Sequence, residues 1–124
     1  MKHLHEKNEQ FAEPSADILD TFPCPAHINP VKLVQKECTA VCPRTSQPDY
    51  YTVEITYAPN ALCLESKSLK LYLASYRNIG IFAETLASRV CQDVHDTLKA
   101  YQTSVTVTQA PRGGISIKAV ATLY

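Results

Sequence analysis

The sequence predicts an α+β protein in which an antiparallel four-stranded sheet carries two helices on one face, in the order β-β-α-α-β-β. Two segments that alternate apolar and polar residues precede a stretch of helical periodicity, and two more alternating segments follow it. Strands grouped in this way, rather than alternating one by one with helices, favour antiparallel pairing. No internal repeat or low-complexity tract divides the chain.

The first two predicted strands span residues 31–38 and 51–57. They follow a lead-in at residues 14–30, whose four prolines favour extended backbone over helix. The second of these strands, Tyr-Thr-Val-Glu-Ile-Thr-Tyr, alternates strictly and consists largely of β-branched and aromatic residues. Pro59 ends it, since proline cannot donate a backbone hydrogen bond to a neighbouring strand.

Helical spacing follows the second strand. Apolar or aromatic residues at positions 69, 72, 73 and 76 predict a first helix, which Asn78 and Gly80 interrupt. A longer helix at residues 81–98 has an apolar residue at every fourth position from 82 to 98. Residues 102–109 and 115–121 then alternate as strands on either side of a Pro-Arg-Gly-Gly turn.

Length and charge limit the class of protein. At 124 residues the chain has room for one domain with a substantial core, expected at residues 14–124 behind a flexible tail at residues 1–13. Twelve basic and twelve acidic residues cancel, so the sequence favours neither direct nucleic-acid binding nor a membrane surface. Because no apolar run or export signal is present, we expect a cytoplasmic protein whose five cysteines are thiols.

Two residues between the first and second predicted strands could carry covalent chemistry. Cys42 offers a loop thiol, which is a nucleophile if its pKa is lowered, and Asp49 offers a carboxyl group for proton transfer. Each residue also has a plain structural explanation, Cys42 as a buried thiol and Asp49 as a turn residue after Pro48. The residues alone leave both explanations open.

Three cationic side chains and one carboxylate suggest a ligand site. Lys67 and Lys70 lie three residues apart at the start of the first helix, so they share a face and could grip phosphate. Arg112 could clamp a phosphate from the final turn, and Glu84 could accept two N–H bonds from a guanine-like ring. A solvated helix face, a solvated turn and a favourable helix dipole explain the same residues without a ligand.

A zinc site is a further alternative. Four possible ligands lie within nineteen residues, namely Cys24, His27, Cys38 and Cys42. Their spacing is loose, and the prolines around the first pair favour an extended lead-in over a metal-binding knuckle. We therefore expect no metal.

Several short motifs resemble, in the same order, those of the NADPH-dependent 7-cyano-7-deazaguanine reductases of queuosine biosynthesis, the QueF family. The family motif is of the type Glu-Ser-Lys-Ser-Leu-Lys-Leu-Tyr, and residues 65–72 match it throughout. The resemblance covers most of the chain, with further matching strings at residues 18–23, 42–49, 75–78 and 111–116. It implies the tunnelling fold (T-fold), in which subunits join their sheets into homo-oligomeric rings with active sites between subunits. The two edge strands of the predicted sheet agree with such assembly.

The resemblance implies a role for each candidate residue. Cys42 attacks the nitrile carbon to give a covalent thioimide, and Asp49 supplies a proton to the nitrogen. The cationic side chains that hold the phosphates of the cofactor NADPH are Lys67, Lys70 and Arg112. The residues that bind the deazaguanine ring are Glu84 as its anchor and Leu64, Glu65 and Ser66 as the pocket lining. Two hydride transfers then reduce the nitrile to an aminomethyl group.

One position departs from the family pattern. The residue before the anchoring glutamate is usually a histidine that positions or protonates the substrate, and here it is Ala83. Ala83 favours a related alternative, a QueF-like amidinotransferase that releases the thioimide with ammonia to make archaeosine. The intact lysines and Arg112 favour the reductase, because ammonia transfer needs no NADPH. A second alternative is a non-catalytic ring module that binds a purine-like ligand, for which neither Cys42 nor Asp49 is needed.

Overall fold

A computed structural model describes residues 13–124 of the chain. The predicted tail at residues 1–13 lies outside the described residues, apart from its last residue. A short 3₁₀ helix at Ala16–Ile18 precedes the main elements. These elements are β1 (Thr21–Pro23), β2 (Val31–Val41), β3 (Pro48–Ala58), β4 (Leu62–Leu64), α1 (Ser66–Ala74), α2 (Ala83–Leu98), β5 (Gln102–Arg112) and β6 (Ile115–Leu123).

Four of the strands form the antiparallel sheet that the sequence predicts, in the spatial order β2-β3-β5-β6. One hairpin connects β2 to β3 and another connects β5 to β6, while both helices lie between the hairpins in the chain. The central pairing joins β3 to β5, with Ile55 opposite Val105. The predicted order β-β-α-α-β-β is thereby confirmed.

A second, two-stranded sheet was not predicted. β1 pairs antiparallel with β4, and Phe22 lies opposite Cys63. Strands of three residues are too short to show the periodicity by which strands are recognised. The lead-in that contains β1 is extended there, but it also includes the 3₁₀ helix at Ala16–Ile18, which was not predicted. The Glu65 N–H donates to the Asp20 carbonyl at 2.9 Å, so this small sheet is attached to the start of α1.

Two long strands continue past their predicted ends through β-bulges. β2 extends beyond Cys38 to Val41, with a register shift between Gln35 and Cys38. β5 extends beyond Gln109 to Arg112, with a shift between these two residues. A bulge inserts an extra residue and interrupts the alternation, which explains why the pattern ends early in the sequence.

The connection between the helices covers one end of the edge strand β2. Val41 N–H donates to the Ile79 carbonyl and Ile81 N–H donates to the Val41 carbonyl, both at 3.0 Å, in a parallel bridge centred on Gly80. Because Ile81 takes part in this bridge, α2 starts at Ala83, two residues later than predicted. The outer edge of β2 is therefore occupied at its carboxyl end.

The core lies between the sheet and the helices, which share one face. Alternate residues of the central strands are buried there: Tyr51, Val53, Ile55, Tyr57, Val105 and Val107. The predicted stripe of α2 is confirmed by the burial of Leu86, Val90, Val94 and Leu98. Each such side chain contributes about 1.5–3 kcal/mol on burial. Within residues 13–124 neither helix has the length and hydropathy needed to cross a membrane.

Candidate functional site

The β2–β3 hairpin brings Cys42 and Asp49 to one end of the sheet. Ala40 is the partner of Asp49 in the two strands, and residues 42–47 connect them. The loop is closed by two backbone hydrogen bonds, Cys42 N–H to the Gln47 carbonyl at 2.8 Å and Ser46 N–H to the Cys42 carbonyl at 2.9 Å. Both Cys42 and Asp49 are buried, at 5% and 4% exposure.

Arg112 joins these two residues from the end of β5. Its Nη2 donates to Cys42 Sγ at 3.4 Å, and its Nε lies 3.1 Å from Asp49 Oδ1. The contact with Asp49 is an ion pair rather than a hydrogen bond, which leaves Oδ1 without a hydrogen-bond donor among the described residues. The Arg112 side chain remains 39% exposed. A thiol, a carboxylate and a guanidinium thus form one cluster.

The surroundings of Cys42 favour its thiolate. Hydrogen bonds from the Thr45 side chain and from the backbone N–H groups of Arg44 and Thr45, with a smaller one from Arg112, lower the pKa of Cys42 to about 7, although burial acts in the opposite direction. The thiolate is the nucleophilic form of cysteine. Cys38 provides a contrast within β2, since burial raises its pKa to about 12. Cys42 and Cys38 are thus both buried thiols, but their surroundings shift their pKa values in opposite directions.

Tyr51 also belongs to this cluster, and the sequence motifs did not single it out. Its hydroxyl lies 3.4 Å from Asp49 Oδ2 and 3.5 Å from the Ile81 carbonyl oxygen. Burial and the charge of Asp49 raise the pKa of Tyr51, so its hydroxyl keeps its proton. Tyr51 could have been found from its spacing, because residues two apart in a strand share a face. For Thr45 the only signal is a hydroxyl residue in the loop after Cys42.

The first turn of α2 follows the bridge to β2 closely in the chain. Ala83 is buried and Glu84 is exposed in this turn, where the helix dipole favours a carboxylate. His95 is in the same helix, but it lies about 18 Å further along the axis. Its Nδ1 is 2.8 Å from Thr103 Oγ1. It does not supply an imidazole at the start of α2.

The start of α1 forms a second region. The Glu65 carboxylate caps the helix by accepting the N–H groups of Lys67 at 2.8 Å and Ser68 at 2.7 Å, and these bonds lower the pKa of Glu65. Ser68 Oγ accepts the Asp20 N–H at 2.8 Å and donates to the Glu65 carbonyl at 2.8 Å. Two residues of the motif at 65–72 therefore hold the local structure.

The other polar residues at the start of α1 face outwards. Ser66, Lys67 and Lys70 are exposed, and Leu64 is buried with its N–H donated to the Tyr57 hydroxyl oxygen at 2.8 Å. A shallow cleft runs between α1 and β2. It is lined by residues 33–35 together with Ser66, Leu69, Lys70 and Leu73.

The two regions lie apart in the single chain. The start of α1 lies beside residues 33–35 of β2, whereas Cys42 follows the other end of that strand. At a rise of about 3.3 Å per residue, about 20 Å of β2 separates Gln35 from Cys42. Arg112, which the sequence groups with Lys67 and Lys70, lies with Cys42 instead.

The four possible zinc ligands do not form a metal site. Over residues 13–124, no group of three or more His, Cys, Asp or Glu side chains comes together in a way that could hold an ion. Cys24 lies beside Cys63 of β4, and Cys42 lies at the far end of β2 from the lead-in. All five cysteines are thiols.

Comparison with known proteins relates this arrangement to one family. The family model described as QueF-like protein matches residues 48–123. The NADPH-dependent 7-cyano-7-deazaguanine reductase of Anaeromyxobacter sp. (strain K) is 44% identical over 83% of this chain and 85% of that protein. The protein of the same name from Helicobacter pylori (strain G27) is 42% identical over 95% of this chain and 81% of that protein. Among solved structures, the archaeosine synthase QueF-Like in its apo form is similar with a TM-score of 0.72 and 26% identity, over 77% of this chain and 93% of that one.

Proposed function

The chain belongs to the QueF-like family, and on that basis we propose that it is an NADPH-dependent reductase of 7-cyano-7-deazaguanine. The reaction converts the nitrile to the aminomethyl group of 7-aminomethyl-7-deazaguanine, a step of queuosine biosynthesis for tRNA modification. We place it in the cytoplasm. The observation that carries this proposal is the cluster of Cys42, Asp49 and Arg112, with its thiolate-favouring loop.

Cys42 is the nucleophile in this proposal. Its sulfur forms a bond to the nitrile carbon, one C–N π bond breaks, and the nitrogen takes a proton, so that the thiol adds across the nitrile to give a thioimide. Asp49 carries that proton, taking it from the Cys42 thiol and delivering it to the nitrogen, because it is buried next to Cys42 and both residues contact the same guanidinium. Burial of both side chains also limits water, which would otherwise hydrolyse a thioimide or imine.

The cofactor is assigned to the second region and to Arg112. NADPH, when bound, supplies the hydride for each of the two reduction steps. The exposed ammonium groups of Lys67 and Lys70 suit its phosphates, and Arg112 has an exposed side as well. Because Glu65 already accepts the first N–H groups of α1, phosphate binding there depends on side chains rather than on the helix terminus.

We assign the deazaguanine pocket to residues from both regions. Glu84 anchors the ring by accepting its N–H groups, since a carboxylate with two oxygens can pair with two donors. The other residues assigned to the pocket are Leu64, Glu65, Ser66 and Ala83. Glu65 enters this role as the cap of α1, with its carboxylate already oriented by two backbone N–H groups.

We propose that the complete site is shared between copies of the chain. About 20 Å of β2 lies between Gln35, beside the start of α1, and Cys42. The sheet ends in two edge strands, β2 and β6, to which strands of other copies can add. We therefore propose a homo-oligomeric ring in which the lysines of one subunit face Cys42 of the next.

A second function shares the first chemical step. The similarity to an archaeosine synthase and the presence of Ala83 favour an amidinotransferase, in which ammonia releases the thioimide as an amidine. The relatives named as reductases match the chain at higher identity, 42–44% against 26%. The reductase is therefore the main proposal.

One experiment separates these functions. The purified protein is mixed with 7-cyano-7-deazaguanine, and intact mass and NADPH absorbance are followed with and without ammonia. The reductase gives a covalent adduct on Cys42 and oxidises two NADPH per nitrile. An adduct that consumes ammonia but no NADPH would establish the amidinotransferase. Binding without any adduct would contradict both and leave the non-catalytic binding module.

A further inference from the structure

The loop at residues 42–47 and the end of β5 approach the Cys42 sulfur from two sides. We infer that Thr45 and Arg112 are positioning residues for Cys42, which orient its sulfur and hold it as a thiolate before substrate or NADPH binds. The inference rests on the proposed role of Cys42 as nucleophile. It goes further in assigning a task to Thr45 and in giving Arg112 a task that is independent of the cofactor.

The loop supplies donors because it is tightly closed. Cys42 is bonded at both its N–H and its carbonyl to residues within the loop. The Gln47 N–H donates to Thr45 Oγ1 at 3.3 Å, so the Thr45 oxygen is an acceptor there and its own hydroxyl proton remains available for Sγ. The N–H groups of Arg44 and Thr45 act with the Thr45 side chain to lower the pKa of Cys42. The closed loop thus holds Thr45 close to Cys42 in the chain.

Arg112 contacts Cys42 from another strand, β5, and brings a positive charge to the sulfur. A buried thiolate at Cys42 is costly without a cation, the more so beside the acidic side chain of Asp49. The guanidinium contacts both, at 3.4 Å and 3.1 Å. The other titratable groups on this face of β3 are Tyr51 and Tyr57, and burial raises the pKa of both hydroxyls. The connection to α2 packs its backbone here, and its flanking charged residues are Arg77 and Glu84.

The test measures the alkylation rate of Cys42 by iodoacetamide against pH, with peptide mass to separate Cys42 from the other thiols and with no substrate or NADPH present. Thr45→Val removes the hydroxyl at nearly constant shape, and Thr45→Ser keeps it. Arg112→Met removes the bridging cation, and Arg44→Met removes an equal charge whose side chain has no contact with Cys42 in the structure. Thermal unfolding checks that each variant folds.

We expect a midpoint near pH 7 in the parent chain, from the pKa of about 7 for Cys42. The midpoint of the alkylation profile should rise in Thr45→Val and rise less in Arg112→Met. It should be unchanged in Thr45→Ser and Arg44→Met. A rise of one pH unit lowers the rate at pH 7 about five-fold, because the thiolate fraction falls from about a half to about a tenth. Thioimide formation without NADPH should slow by a similar factor.

Unchanged midpoints in both Thr45→Val and Arg112→Met would overturn the inference. So would an Arg112→Met chain that loses only NADPH affinity while Thr45→Val matches Thr45→Ser. If Thr45→Val does not fold, the Arg112→Met and Arg44→Met pair decides. A parent chain that alkylates with a midpoint near pH 7 but forms no adduct with the nitrile would contradict the proposed function and leave the thiolate inference standing.

Discussion

The Cys42 end of the sheet and the start of α1 contain the two longest motifs of the chain, and their charges are organised in opposite ways. At the Cys42 end, Asp49 is buried, and Arg112 of the same chain contacts both Cys42 and Asp49. At the start of α1, the lysines are exposed and only Glu65 is engaged, through backbone N–H groups. Under the proposed roles, the groups for the covalent step already lie together in the single chain, whereas Lys67 and Lys70, which are assigned to NADPH, are exposed to solvent.

The largest expected effect comes from removing the nucleophile. Cys42→Ala should abolish both the covalent adduct and NADPH oxidation, because no other thiol lies beside Asp49 and Arg112 in the described residues. Intact mass after incubation with the nitrile is the measurement. Cys24→Ala is the matched control and should keep the adduct, since Cys24 lies at the β1–β4 sheet. An adduct on Cys42→Ala would show that a residue other than Cys42 attacks the nitrile.

The next largest effect concerns the proton carrier. Asp49→Asn should slow thioimide formation by about 10²–10⁴-fold, the usual contribution of a positioned acid or base. The rate is measured by quenched intact mass. The asparagine side chain retains an oxygen for the Tyr51 hydroxyl, so folding should persist, and Cys42 alkylation serves as the control for an intact nucleophile. A loss smaller than about three-fold would mean that another group transfers the proton.

The second region is tested by its lysines. Lys67→Ala combined with Lys70→Ala should raise the NADPH KM by about 10–100-fold, because each hydrogen bond to a charged group contributes about 1.5–3 kcal/mol, part of which solvent offsets at an exposed site. Adduct formation should be unchanged. Lys118→Ala, an exposed charge on β6, is the control for net charge. If the double variant also loses the adduct, the assigned roles of the two regions are not separate.

A smaller effect is expected at the contact that attaches β4 to the core. Tyr57→Phe removes the acceptor of the Leu64 N–H and leaves that buried donor unpaired, which costs about 1–3 kcal/mol. Urea unfolding measures the loss. Tyr101→Phe, at a side chain that is 67% exposed, should change stability little. Equal stability of the two variants would show that the start of α1 does not depend on this hydrogen bond.

The smallest expected effect is a pH dependence at the cap of α1. Hydrogen bonds lower the pKa of Glu65 in the folded chain below its ordinary value of 4.5. The stabilisation is therefore complete above pH 4.5 and is lost as the pH falls through the folded value. Glu65→Ala should destabilise the chain at pH 7, and the difference from the parent chain should shrink as the pH falls below 4.5. Glu37→Ala, exposed on β2, is the control in the same unfolding series.

Periodicity predicted the sheet and both helices because each element buries one face, and burial sets the spacing of apolar residues. It did not predict β1 and β4, whose three residues each are too few for a pattern, or the bulges of β2 and β5, which interrupt one. β1 and β4 form by pairing with each other, although they are far apart in the sequence.

The candidate site was predictable as a set of residues but not as a set of contacts. Cys42 and Asp49 stand on one hairpin, so their proximity follows from strand pairing alone. Arg112 contacts Cys42 across a sequence separation of 70 residues. The pairing of β3 with β5 ends at Gln109, so the contact also depends on the bulge between Gln109 and Arg112. The assigned catalytic, substrate and cofactor roles remain predictions for the experiments above.

The bridge between Val41 and Gly80 has a consequence for how copies of the chain can join. A strand that adds along the outer edge of β2 finds available backbone groups only as far as Ala40, where it meets the connection at residues 79–81. This connection blocks further strand pairing along the edge of β2. It limits the registers in which a neighbour can dock, and so it sets how far along the edge that neighbour's side chains lie from the Cys42 sulfur.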